Sequence, residues 1–238
     1  MRINRYLAEC GLASRRKCEE FVRNGEVTVN GSVVTDLSTQ VEAGDEVFVG
    51  GRRVVPVKKH VYLMINKPKG CVTTVSDDRG RRTVMDIVKG DYPDTRLFPV
   101  GRLDYDTEGL LILTTDGDLC NRLTHPSNEI EKLYVAKLEG RVSEDELAKV
   151  RAGVMLDGRR TGKSRVKLVS YDAKSDISTV EIGIKEGMNR EVRRIFESVG
   201  KSVAFLKRVA IGDLRLRGVD RGSYRKLSRE EVDYLKNM

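Results

Sequence analysis

The stretch "GRLDYDTEGLLILTTDGDL", residues 101–119, sets five carboxylates, Asp104, Asp106, Glu108, Asp116 and Asp118, around an apolar run. Carboxylates gathered in a loop bind a cation, do proton-transfer or nucleophilic chemistry, or cap and solvate turns. Asp104, Asp106 and Glu108 followed by Gly109 fit the opening of an EF-hand calcium loop. That pattern fails at Thr115, which stands where the bidentate glutamate belongs, and neither "RLFPV" nor "LLILTT" reads as a flanking helix. Zinc is no better served: Cys10, Cys18, Cys71 and Cys120 form no C-x-x-C pair, and His60 and His125 are the two histidines. The four cysteines read as reduced, structural thiols, and no metal is expected.

A second constellation is basic. Residues 185–229 hold 13 Lys and Arg against 5 Asp and Glu, a surplus equal to the +8 net charge of the whole 238-residue chain. Such a surplus is the electrostatic footprint of a protein that meets nucleic acid. In "MNREVRRIFESVG" the residues Val192, Ile195, Phe196 and Val199 recur at i, i+3, i+4 and i+7 and define a buried helix face. Arg190 and Arg194 then point away from the core, and Arg193 lies at its flank, half-buried and in want of a carboxylate. Near the N-terminus, Arg15, Arg16 and Lys17 crowd the first turn of a helix, where the macrodipole disfavours cations. Three cations and free amides there form either a phosphate site or an ordinary solvated charge run.

These groups need elements to hold them. The first 60 residues read as two short helices, a hairpin and a third strand: Ser14 caps the second helix, Gly25 ends it, and Asn30-Gly31 turns the hairpin. "GGRRVVPVKKH", residues 50–60, reads as a linker, dividing the chain into domains 1–60 and 61–238. Beyond it "VYLMIN", "RLFPV", "LLILTT", "EKLYVAKLEG", "TVEIGIKEG" and "VAFLKRVAI" read as strands, and "SEDELAKVRAG" opens a helix with a Ser143/Glu146 capping box. On the "EKLYVAKLEG" strand Lys132, Tyr134, Ala136 and Leu138 share one face. Many strands with a few capped helices, out of strict βαβα rhythm, predict an α+β fold with a mixed or antiparallel sheet. No run approaches a membrane span and "MRINRYLAECG" has no signal-peptide core, so a soluble cytoplasmic protein is expected.

"NKPKG", "GRLDYDTEGLLILTTDGDL", "EKLYVAKLEG", "EGMNREVRRIFESVG" and "LKRVAIGDLRLRG", taken in order, resemble the RsuA/RluB branch of the ribosomal RNA pseudouridine synthases. The first 60 residues resemble the small RNA-binding domain named after ribosomal protein S-four. The wording of "NREVRR" and "THPSNEIEKLYVAKLEG" is most similar to the large-subunit members of that branch. The resemblance implies a pseudouridine synthase catalytic domain behind a small α-α-β RNA-binding domain, ribosomal RNA of the large subunit as partner, and a reaction that needs no cofactor; separately from the resemblance, a monomer is expected. It implies that Asp104 is the catalytic aspartate, either attacking ribose or uracil or removing a ribose proton. It further implies that Tyr134 stacks on the base and assists loss of the C5 proton, and that Arg193 pairs with Asp104.

RNA contacts are then expected from Arg15, Arg16, Lys17, Arg102, Arg190, Arg194, Lys207 and Arg208. Asp106 and Glu108 read as loop or capping residues, and Asp116 and Asp118 as turn acids. Gly101 and Gly109 either permit close backbone approach or serve as turn residues. Two other classes remain open at this point. One is a catalytically inert RNA-binding assembly factor. The other is a glycoside hydrolase, which uses two carboxylates about 5 to 9.5 Å apart.

Overall fold

A computed structural model describes all 238 residues, Met1–Met238. Helices α1 (Ile3–Glu9) and α2 (Arg15–Arg23) pack together at the start of the chain. The Ser14 hydroxyl accepts from the Lys17 amide at the head of α2. At its tail Gly25, with φ +70°, lets the Gly25 and Glu26 amides reach the Val22 and Phe21 carbonyls. Asn30 and Gly31 both take positive φ, as the two-residue hairpin turn between β1 (Val27–Val29) and β2 (Ser32–Val34) requires. Strand β3 (Val47–Val49) pairs with the other edge of β1, and Ile3, Leu7, Cys18, Val22, Val27 and Val47 are buried beneath.

The stretch expected to open a linker behaves differently. Gly50 and Gly51 turn β3 into β4 (Arg52–Arg53), which pairs with Phe48 and Val49. Paired glycines serve a tight turn as readily as a flexible joint, because both exploit positive φ.

The larger unit runs β5 (Tyr62–Lys67), β6 (Phe98–Val100), β7 (Glu108–Thr114), α3 (Gly117–Thr124), β8 (Lys132–Glu139) and α4 (Glu144–Ala152). It continues with β9 (Met155–Leu156), β10 (Arg159–Arg160), β11 (Arg165–Asp172), β12 (Ile177–Ile184), α5 (Glu191–Glu197), β13 (Val203–Ile211), β14 (Leu214–Arg215), β15 (Tyr224–Lys226) and α6 (Arg229–Lys236). Nine strands form one sheet in the order β11-β12-β8-β13-β7-β5-β15, with β6 beside β7 and β14 beside β13. Only β7 and β13 run parallel, so the sheet is mixed and the fold is α+β, as the strand pattern predicts. Both faces are covered. Leu111 and Leu113 enter a 25-residue core with α4 and α5, whereas Leu110 and Ile112 enter a 10-residue core with α3 and α6. Two-sided burial is why β7 reads as an unbroken apolar run rather than an alternating one. No helix is long and apolar enough to cross a membrane.

Helix α3 replaces the simple turn expected at Asp116. Asp116 caps it, accepting the Leu119 amide at 2.9 Å, and Leu119 and Leu123 bury its inner face. Asp118, in the first turn, reaches across to Arg5 of α1 at 2.6 and 2.8 Å and so joins the two units.

Candidate active site

The loop 101–107 hangs between β6 and β7, and its backbone is fixed by the segment that follows β5. Three successive carbonyls are held: Leu103 by the Thr73 hydroxyl at 2.7 Å, Asp104 by Lys67 Nζ at 2.9 Å, and Tyr105 by the Gly70 amide at 2.9 Å. Lys67 also donates to the Thr107 carbonyl at 2.8 Å and to Pro68 at 3.2 Å. Its side chain is fully buried, and burial pushes the ammonium down to about 8 against the opposing pull of the nearby acids. Sequence reasoning passed over Lys67, yet the signal was present. Leu63 and Ile65 are buried on one side of β5, and Lys67 continues that alternation.

With its backbone held in this way, Asp104 presents a carboxylate that makes no hydrogen bond or ion pair within the protein. It opens into a cavity of about 240 Å³ lined also by Arg102, Tyr134, Met188, Arg190 and Glu191. Tyr134, on β8, is 8 % exposed, and its hydroxyl likewise has no protein partner. The cavity is small, of a size to take one extruded base rather than folded nucleic acid. Asp104 and Tyr134 are therefore brought together, as expected.

Arg193 is not paired with Asp104. Its Nη2 lies 3.1 Å from Asp106 Oδ2 and donates to the Asp106 carbonyl at 3.1 Å, while Nη1 donates to the Val203 carbonyl at 2.7 Å. Arg190 grips the same Asp106 carboxylate at 3.1 and 3.2 Å. Helical periodicity identifies the inward arginine, but an irregular loop does not reveal which of two alternate carboxylates it meets. Arg193 is also buried more deeply than its flank position suggests, at 6 % exposed. The charge of Asp104 is felt instead at Arg190 and Lys67.

Asp106 is thus a structural anchor under the loop that carries Asp104 rather than a solvated loop acid. Burial works to raise its carboxyl pKa, but the hydrogen bond from Arg190 and the charges of Arg193 and Arg190 prevail and leave it below the ordinary value. A carboxyl depressed in the folded state adds stability above the unfolded pKa of about 3.9, and that stability is lost as pH falls through the folded pKa. Asp106→Asn strips the buried Arg193 of its counter-charge and is expected to cost about 3 kcal/mol at pH 7. In urea unfolding, the gap between wild type and variant should narrow as pH is lowered below about 4. A gap independent of pH would show that the ion pair is not its source.

The basic residues separate into groups. Arg102 is exposed at the cavity rim without a partner, and Arg190 joins it there although committed to Asp106. Arg194 is held 2.6 Å from Asp157 in the turn between β9 and β10. Lys207 alternates with Leu206, which lines the cavity, so it leaves from the opposite face of β13. Arg208, expected to contact RNA, is 4 % exposed and donates Nε to the Leu110 carbonyl at 2.8 Å; it ties β13 to β7 and presents no exposed guanidinium for a phosphate to touch. In α2, Arg15 and Arg16 are exposed and unpaired, whereas Lys17 is engaged by Glu20 at 2.5 Å. Glu191, which sequence reasoning noted without giving it a role, is buried in the cavity wall. Its carboxylate accepts the Met188 amide at 2.9 Å, and burial pushes its pKa up.

A cavity with two carboxylates, Asp104 and Glu191, suits more than one reaction on a nucleoside or sugar. Comparison with known proteins decides the class. Residues 61–198 match the family described as RNA pseudouridylate synthase, and residues 1–47 match the S4 domain. The chain belongs to the RNA pseudouridylate synthase family. It is 43 % identical over 235 residues, 99 % of this chain and 95 % of the other, to "Ribosomal large subunit pseudouridine synthase B" of Bacillus subtilis (strain 168). A protein named "Uncharacterized RNA pseudouridine synthase" from Aquifex aeolicus (strain VF5) is 38 % identical across 100 % of this chain and 97 % of its own. Among solved structures, one described as "Crystal structure of pseudouridylate synthase" superposes with a TM-score of 0.71 at 32 % identity, covering 99 % of both chains. The hydrolase reading falls with that membership. The chain is an enzyme that forms pseudouridine in RNA.

Proposed function

We propose that this protein converts a uridine of large-subunit ribosomal RNA to pseudouridine. Asp104 is the reacting carboxylate, Tyr134 lies against the base, and Arg193 acts as a positioning residue through Asp106. The observation that carries the reading is the Asp104 carboxylate, held by its backbone and free of any protein partner in a base-sized cavity. In the isomerisation the bond from ribose C1′ to uracil N1 breaks, the base rotates, and C1′ joins C5. The C5 proton leaves and N1 gains one, so nothing is consumed and no cofactor is required. A Tyr134 hydroxyl without a protein partner is suited to assist the C5 proton.

Residues 1–60 serve in this reading as the RNA-binding domain and 61–238 as the catalytic one. The large-subunit assignment is supported by the name of the Bacillus subtilis relative, which matches this chain over nearly its full length. One chain supplies the whole cavity, which suits a monomer, and a substrate in ribosomal RNA suits the cytoplasm. Extrusion of the target base costs a few kcal/mol, which phosphate contacts from exposed cations such as Arg15, Arg16 and Arg102 would offset.

Mapping pseudouridine in total ribosomal RNA from cells with and without the gene tests the reading. Loss of one large-subunit site, restored by the wild-type gene and not by Asp104→Ala, is the expected result. Persistence of every site would leave the protein an RNA-binding factor.

A further inference from the structure

A second cavity, of about 380 Å³, lies where the two units meet. It is lined by Arg5, Glu9 and Arg15 from one side and by Arg96, Asp118 and Asn121 from the other. Both of its acids are occupied by one cation: Arg5 donates to Glu9 at 2.7 Å and to Asp118 at 2.6 and 2.8 Å. Arg15 and Arg96 are left without a hydrogen bond or ion pair to any protein group. Arg15 is exposed, but Arg96 is half-buried, close enough to α2 for its charge to be felt at Cys18. A guanidinium stays charged even when partly desolvated, and one held without a counter-charge is costly unless a ligand supplies it.

Two such groups reaching one cavity from different units call for an anion between them. We propose that this cavity seats a backbone phosphate of the RNA, gripped by Arg15 from the N-terminal unit and Arg96 from the catalytic one. The substrate would then fix the two units against each other. The inference rests on the reading that the chain acts on RNA. Thr107 lines the first cavity and Thr115 the second, at opposite ends of β7. An extended strand of that length spans roughly 25 Å. The phosphate would therefore lie roughly 25 Å from the reacting base, on a nucleotide several positions away.

Binding of unmodified, transcribed large-subunit ribosomal RNA should be measured across a salt series for wild type, Arg15→Gln, Arg96→Gln, Arg96→Lys and the double glutamine variant. Loss of one phosphate contact is expected to reduce the salt slope by about 0.7 to 0.9 and to weaken binding about fivefold near physiological salt. Arg96→Lys should restore the slope, which a purely structural role would not require. The double variant should lose less than the product of the single losses, because both cations serve one phosphate. An unchanged slope for both glutamine singles overturns the proposal. So does inorganic phosphate that raises the melting temperature of the wild type but not of Arg96→Gln at concentrations that leave RNA binding unaffected, since the seat would then belong to a free anion. Pseudouridine formation on the same RNA, read with excess protein, separates the two claims. Formation with an unchanged slope removes the seat alone, and a reduced slope without formation removes the isomerase reading alone.

Discussion

Asp104→Asn is expected to lower single-turnover pseudouridine formation on the order of 10⁴-fold or more while leaving RNA affinity within about twofold, the profile of a lost reacting group rather than a lost contact. The geometry makes this substitution unusually clean. Lys67, Thr73 and Gly70 hold the loop through the backbone carbonyls of residues 103 to 105, and the Asp104 side chain takes no part in that scaffold. Asparagine keeps the shape and removes the charge. Loss of an anion beside the polyanionic substrate cannot weaken attraction, so a fall in affinity would indicate that the loop had moved. Turnover within tenfold of wild type would show that Asp104 is not the reacting group and would direct attention to Glu191, the other carboxylate in the cavity wall.

The sequence revealed those parts of the site that regular structure positions. Alternation along β8 placed Tyr134 on the face with Ala136 and Leu138, which is buried, and helical period put Arg193 at the flank of the buried face, where it lies deeper than the period alone suggests. The S-four-like unit was legible for the same reason, because caps and an Asn-Gly turn are chemistry read over three or four residues. What escaped depends on contacts distant in the chain. Asp106 meets Arg193 across 87 positions, and no local period says that it, rather than Asp104, is the partner. Arg208 looks like any basic residue until the parallel pairing of β13 with β7 turns its guanidinium onto Leu110. Helices α3 and α6 were within reach: Asp116 with Leu119 and Leu123, and Ser228 with Glu231, are a cap and a capping box. An apolar run just upstream and a dense charge background mask both signals.

Gly109→Ala should be among the most damaging single substitutions in the chain, and its effect follows from the one parallel strand pairing in the sheet. Lys207 pairs with Glu108 and Arg208 with Gly109, immediately after the loop that carries Asp104. Gly109 has φ +110°, and a β-carbon there would lie 2.2 Å from the Arg208 carbonyl oxygen and 2.8 Å from its nitrogen. Both atoms are backbone in the middle of the sheet, so the clash is relieved only by parting β7 from β13. Positive φ alone costs an L-residue about 1 to 3 kcal/mol, and strand separation adds to it, for an expected total of about 4 kcal/mol or more. For a chain of this length that corresponds to a fall in melting temperature of about 10 °C or more. Gly101, at the other end of the same loop, is the control. Its φ of +72° strains a substitution, but the nearest atom to an added β-carbon is the Thr124 methyl at 3.5 Å, ordinary contact. Gly101→Ala should therefore cost only about 1 kcal/mol. Thermal melts of both variants, with turnover measured well below either transition, distinguish a hinge from a keystone. If Gly109→Ala melts like Gly101→Ala, the sheet tolerates the parting and the close approach is not what positions the loop. If it melts far lower, and the folded fraction still turns over slowly, the parallel contact sets the register from which Asp104 reaches the base.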